Sequence, residues 1–107
     1  MKQNGTRVIH HVFFWLKYRD SKEDLAKLLE GLRTLGSIET VRKLHIGVPA
    51  HTAQRDVVEA SYSASELIFF DDLAGQEIYQ NHAVHKKFIE TCGRLWQKVI
   101  VYDSMDV

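Results

Sequence analysis

The sequence predicts an α+β domain of ferredoxin type, a four-stranded antiparallel sheet with helices on one face. Three observations point there. The elements read strand, helix, strand, strand, helix, helix, strand, which is the split βαβ pattern with a second helix inserted in the last crossover. The length, 107 residues, suits one domain spanning 1–107 with one core. The first strand is apolar on both sides although helices cover one side only, so the other side needs a partner, and a homodimer is expected.

Each element has a local reason. Val8 to Leu16 is rich in β-branched and aromatic residues and too short and apolar for an amphipathic helix, so it is the first strand. Its alternation sets Ile9, His11, Phe13 and Trp15 on one face and Val8, His10, Val12, Phe14 and Leu16 on the other. Only one of the two adjacent histidines can share a given face. Ser21 with Asp24 three residues on resembles a capping box, and Leu25, Leu28, Leu29, Leu32 and Leu35 form the apolar stripe of a helix that Gly36 is placed to end. Val41 to Val48 alternates with Leu44, Ile46 and Val48 on one side, and Pro49 closes this second strand. Ala50 through Ser61 lacks a period and reads as a long surface loop. Tyr62 to Phe70 is the third strand, stopped by Asp71-Asp72, either of which can cap a helix over Leu73 to about Asn81. After a break near His82, a third helix is predicted over roughly Ala83 to Gln97, then a short strand over Val99 to Tyr102.

Composition excludes several classes of function. Lysine plus arginine number 14 against 14 aspartate plus glutamate, so no net field draws nucleic acid or an anionic membrane, and neither is expected as a partner. Cys92 is the one cysteine, which precludes an intrachain disulfide and fits a reducing compartment. Met1 to Thr6 lacks the apolar core of a signal peptide and no apolar run is long enough to span a bilayer, so a cytoplasmic location is expected.

Candidate chemistry gathers in the stretch Tyr79 to Trp96. Tyr79, His82 and His85 stand at helical spacing, and from His85 the residues Phe88, Ile89, Cys92, Trp96 and Val99 recur at three and four positions, so His85 heads a stripe predicted to be buried. A histidine directed into an apolar interior needs a hydrogen-bond partner or a purpose.

The runs His11-Val12-Phe13-Phe14-Trp15, Tyr79-x-x-Asn81-His82-x-x-His85-x-x-Phe88 and Val99-Ile100-Val101-Tyr102-Asp103 together resemble the stress-responsive A/B barrel family, from about Val8 to Asp103. The resemblance implies a dimeric α-β barrel with a cavity between sheet and helices. A plant polyketide cyclase of that family, which forms olivetolic acid, uses a strand-one histidine, a tyrosine and the second histidine of this run. The matching positions are His11, Tyr79 and His85. Trp96 also matches an aromatic position of that cyclase, whereas the family's usual proline after the first histidine is Ala83 here.

On this reading His85 and Tyr79 converge from two helix ends above strand one, where His11 projects. His85 then serves as a general base next to a carbonyl, Tyr79 orients it or steadies an enolate, and His11 polarises the carbonyl. The alternative is a structural hydrogen bond between His11 and His85 across the sheet–helix interface. Phe13, Trp15, His82, Phe88 and Trp96 are the candidate ligand-binding residues for a small apolar or aromatic molecule; ordinary core or dimer packing is the other reading of the aromatic residues, and capping a turn or facing solvent that of His82. His82 and His85 with His10 or His11 could supply zinc ligands, but no HExxH helix or paired cysteines support this, so no metal and no cofactor is expected. Cys92 reads as a small packed hydrophobe and His45 and His51 as surface residues. Two functions remain: a small-molecule-binding or purely assembling barrel, and a cofactor-free cyclase, isomerase or oxygenase.

Overall fold

The computed structural model describes residues 6–107; the N-terminal stretch 1–5, which holds most of the segment read for a signal peptide, lies outside the described residues. The strands are β1 (Val8–Leu16), β2 (Lys43–Gly47), β3 (Ala64–Phe70) and β4 (Trp96–Met105), and the helices α1 (Lys22–Thr34), α2 (Leu73–Asn81) and α3 (Ala83–Cys92). All neighbouring strands run antiparallel in the order β2-β3-β1-β4, so the first strand is central and flanked by the third and the last.

Local chemistry sets the helix ends. The Ser21 hydroxyl accepts from the Asp24 N–H at 3.0 Å and the Asp72 carboxylate from the Gly75 N–H at 2.8 Å, each satisfying a backbone donor that a first helical turn leaves free. His82 ends α2 in extended backbone and caps α3 with its ring, Nδ1 accepting from the Val84 N–H at 3.0 Å. Gly31 lies where α1 crosses α3, and a methyl group there would come within 2.5 Å of Cys92 Sγ. The hydrogen atom of glycine is what permits that approach.

Packing then fills one side of the sheet. Val8, Val12, Phe14 and Leu16 of β1 and Ile68 and Phe70 of β3 join Leu28 and Leu32 of α1, Tyr79 of α2, and Phe88 and Cys92 of α3 in one buried cluster. The opposite side carries no helix, and the body measures 48 × 35 × 17 Å, thin for its width. Among the described residues no helix is long and apolar enough to cross a membrane.

The third helix is shorter than its periodicity predicts. It ends at Cys92 because Gly93 opens a 3₁₀ turn, Gly93–Leu95, and β4 starts at Trp96 and runs to Met105. Trp96 is therefore a strand residue rather than a helix-stripe residue. A register shift between Trp15 and Leu16 places it opposite Leu16, so that it reaches the helix side. Ile89 and Val99, expected on the buried stripe, are 44% and 37% exposed. β2 and β3 are also shorter than predicted, with Val41, Arg42, Val48, Tyr62 and Ser63 in the connecting segments.

Candidate active site

The pairing of β1 decides which histidine meets the helices. His10 stands between Ile68 of β3 and Asp103 of β4, on the side covered by α2 and α3; His11 stands between Leu67 and Tyr102, on the open side. His11 and His85 therefore lie on opposite sides of the sheet. This corrects both the catalytic placement of His11 and the expected His11–His85 hydrogen bond; His10 occupies the inner position. The register of the whole sheet sets this outcome, because two adjacent strand residues always face apart.

The site builds up from His10. The Asp103 carboxylate accepts a hydrogen bond from His10 Nδ1 at 2.6 Å, which holds the ring and leaves the Nε2 lone pair free in the neutral tautomer. His10 Nε2 lies 3.8 Å from Glu66 Oε1, beyond hydrogen-bond length. Glu66 pairs with Val12, two positions from the Ile68 that faces His10, so it projects on the same side. The Tyr79 hydroxyl donates to Glu66 Oε1 at 3.2 Å, while Glu66 Oε2 is buried with no partner. The Tyr79 ring is fully buried and stands edge-on to His10, with centroids 5.5 Å apart, and tilted against His85 at 4.7 Å. One tyrosine thus bridges the two histidines, one from the strand and one from α3.

Burial sets the electrostatics. Removal from water pushes the Glu66 carboxyl up to about 7, against which the Tyr79 hydrogen bond acts, so near neutral pH both protonation states are populated. The same burial, reinforced by Glu66, pushes the Tyr79 phenol far above its ordinary value and keeps it a donor. Burial first and then the charge of His10 lower the pKa of His85, with contact to the Gln80 backbone working the other way, which favours a neutral imidazole. His10, Glu66, Gln80 and His85 border a cleft of about 200 Å³ whose remaining wall is apolar, including Phe14, Phe88, Trp96 and Val99.

The other candidates separate cleanly. Phe88 and Trp96 line the cleft, with ring centroids 5.6 Å apart. Phe13 and Trp15 do not: on the open side, Phe13 lies 4.3 Å from the His11 ring and Trp15 donates its indole N–H to Ser61 Oγ at 2.9 Å. There they border a separate hollow of about 330 Å³ with Tyr62, Ile100 and Tyr102. His82 sits outside the cleft, its Nε2 3.2 Å from Glu39 Oε1. Among the described residues no three His, Cys, Asp or Glu side chains are grouped to hold a metal ion.

Sequence reasoning passed over Glu66 and assigned no role to Asp103. A single carboxylate inside Ala-Ser-Glu-Leu-Ile-Phe-Phe was the available signal for Glu66. Asp103 enters only as the last residue of the closing run that carries the family resemblance, with no role attached.

With that geometry in hand, the family model for the stress responsive A/B barrel domain matches residues 8–106. The chain belongs to the stress-responsive A/B barrel family. A family member with a ferredoxin-like fold from Mesorhizobium loti superposes with TM-score 0.77 at 19% identity, covering 95% of this chain and 98% of the other. Hydroxynitrile lyase from Passiflora edulis gives TM-score 0.78 at 16% identity, covering 94% of each chain. A dimeric ferredoxin-like protein of unknown function from Thermobifida fusca gives 0.74 at 15% identity, covering 94% and 92%. At these identities the likeness is one of fold. None of the curated proteins matches this member of the A/B barrel family.

Proposed function

We propose that this protein is a homodimer that takes a small, largely apolar molecule with a carbonyl or hydroxyl group into the cleft, where His10 transfers a proton without a cofactor. The observation that carries the reading is the buried His10 ring: Nδ1 is tied to Asp103 at 2.6 Å and Nε2 is unpaired beside the cleft. A base held in orientation by a carboxylate is an arrangement suited to general-base chemistry. His85, neutral at the cleft wall, orients the molecule or shares the proton; Tyr79, a permanent donor, fixes Glu66. The fold shared with hydroxynitrile lyase from Passiflora edulis supports placing a small-molecule reaction on this architecture. The apolar open face and the dimeric likeness from Thermobifida fusca support the homodimer, and the single buried thiol suits the cytoplasm.

A purely assembling module is the second reading, favoured by the cleft's size, since drug-sized ligands occupy roughly 300–1,000 Å³. Exchange of α-protons in small β-dicarbonyl and phenolic ketone compounds, followed by NMR in D₂O, separates the two. Exchange by the wild type, reduced roughly 10²-fold or more in His10→Ala and unchanged in His11→Ala, is expected. Equal exchange in wild type and His10→Ala removes the catalytic claim, and no binding of any compound leaves assembly alone.

A further inference from the structure

We propose that Glu66 makes the cleft selective for a neutral ligand bearing a hydroxyl group, which anchors between the Glu66 carboxyl and His10 Nε2. The inference rests on the cleft being the ligand site and names what it selects. Glu66 is 2% exposed, one of its oxygens takes the Tyr79 hydrogen bond, and the other has no partner. Carboxyl groups rarely stay buried half-satisfied, because each orphaned oxygen forfeits its hydration. On the neighbouring strand His10 Nε2 is likewise unpaired, 3.8 Å from Glu66 Oε1, since Asp103 engages only Nδ1. Glu66 and His10 both line the cleft, each with one polar atom unpaired, and Glu66 Oε1 lies too far from Nε2 for a direct bond.

A hydroxyl group is the chemistry that suits both. When Glu66 is protonated its hydroxyl donates to the ligand oxygen and the ligand hydrogen goes to His10 Nε2; when Glu66 is ionised the ligand hydrogen goes to the carboxylate, so Glu66 is met in either state. Rotation about the terminal torsion of glutamate, which is broad, presents either oxygen to the ligand. A carbonyl only accepts, and so leaves one of the two bare. An ammonium group would need Glu66 ionised and would bring a charge between two imidazoles in an otherwise apolar wall, a costly burial. A methyl group in the same place leaves both polar atoms unpaired, and sites built to meet a hydroxyl reject such analogues strongly. That burial holds Glu66 near half-protonation at neutral pH agrees with a partner that can both give and take.

Phenol, toluene and benzylamine, similar in size, serve as probes of the full chain by calorimetric titration. Wild type is expected to bind phenol at least about tenfold more tightly than toluene. Glu66→Gln, which keeps an accepting oxygen for Tyr79 and a donor for the ligand, retains part of the preference; Glu66→Leu loses or reverses it. On the wild type itself, ¹³C-labelled at glutamate carboxyls and with Glu66 assigned by its loss in Glu66→Gln, the Glu66 resonance moves with phenol and not with toluene. Equal binding of phenol and toluene, or benzylamine as the tightest of the three, overturns the selectivity while leaving the cleft a ligand site. Failure of all three to bind overturns the ligand site and the selectivity with it.

Discussion

His10 and His11 are joined by one peptide bond yet belong to two different surfaces. His10 is 4% exposed, bonded to a carboxylate and flanked by Tyr79 and Phe70; His11 is half-buried beside Phe13 on a face no helix covers. The covered face is closed by this chain's own helices and collects its buried ionisable groups. The open face is aromatic and aliphatic, with Phe13, Leu67, Phe69 and Ile100 partly exposed, and is completed only by another copy in the proposed dimer. Stability of the chain should therefore reside on one face and association on the other.

Truncation of adjacent residues on β3 tests that division with the largest expected effect. Ile68 is fully buried under the helices, while Phe69 beside it points to the open side. Ile68→Ala should cost about 2–5 kcal/mol in urea unfolding, and Phe69→Ala clearly less at concentrations where the protein is monomeric. Similar losses would break the distinction between the faces.

Second in size is the pH response of Glu66. Its folded-state pKa is raised from 4.5 to about 7, so between those values the folded chain holds more protons than the unfolded one and stability falls as pH rises. The cost is absent below 4.5, grows through the window and is complete above 7. Glu66→Gln removes it, so thermal or urea unfolding should find the variant more stable than wild type at pH 8 by on the order of 3 kcal/mol and nearly equal at pH 4.5. A constant difference across that range would mean that Glu66 is not buried as an ionisable group.

How much of this was legible in the sequence follows the same division. Features fixed by neighbours along the chain were readable: β1 spans Val8–Leu16 and α2 Leu73–Asn81 as predicted, Ser21 caps as read, and of the two aspartates offered for the second cap Asp72 serves. The inward histidine was not, because periodicity reveals a face only when the two faces differ, and β1 is apolar on both. The His10–Asp103 hydrogen bond joins residues 93 positions apart, and only strand pairing creates it. Trp96 fits both a helical stripe and a strand start; the glycine before it decided the matter, as a weak helix former at the end of α3. The Tyr79–His85 contact was readable because α2 and α3 meet at a short, capped break.

A third test moves to the open face. Phe13 lies against Tyr62 and Tyr102 at ring-centroid distances of 4.9 and 6.1 Å, in the middle of the surface assigned to the second copy. Phe13→Ala should weaken dimerisation by about 1–2 kcal/mol in sedimentation equilibrium while leaving α-proton exchange by any remaining dimer intact. Unchanged self-association would move the interface elsewhere.

The smallest effect is expected at His11, and its sign separates it from Glu66. Burial, with the charges of His45 and His10 behind it, lowers the folded-state pKa of His11 below 6.5. The folded chain then binds fewer protons than the unfolded one as pH drops through that value, so stability present above it is lost on acidification, the reverse of the Glu66 response. His11→Gln cannot charge, and near pH 7.5 it should change stability by no more than about 0.5 kcal/mol. Between pH 7.5 and 5.5 the variant should lose less stability and less dimer than wild type. Because dimerisation removes this face from water, the difference should be larger in protein concentrated enough to associate than in dilute monomer. If acid sensitivity were equal in both regimes, burial within one chain and then the charges of His45 and His10 would account for all of it, and the open face would contribute nothing as an interface.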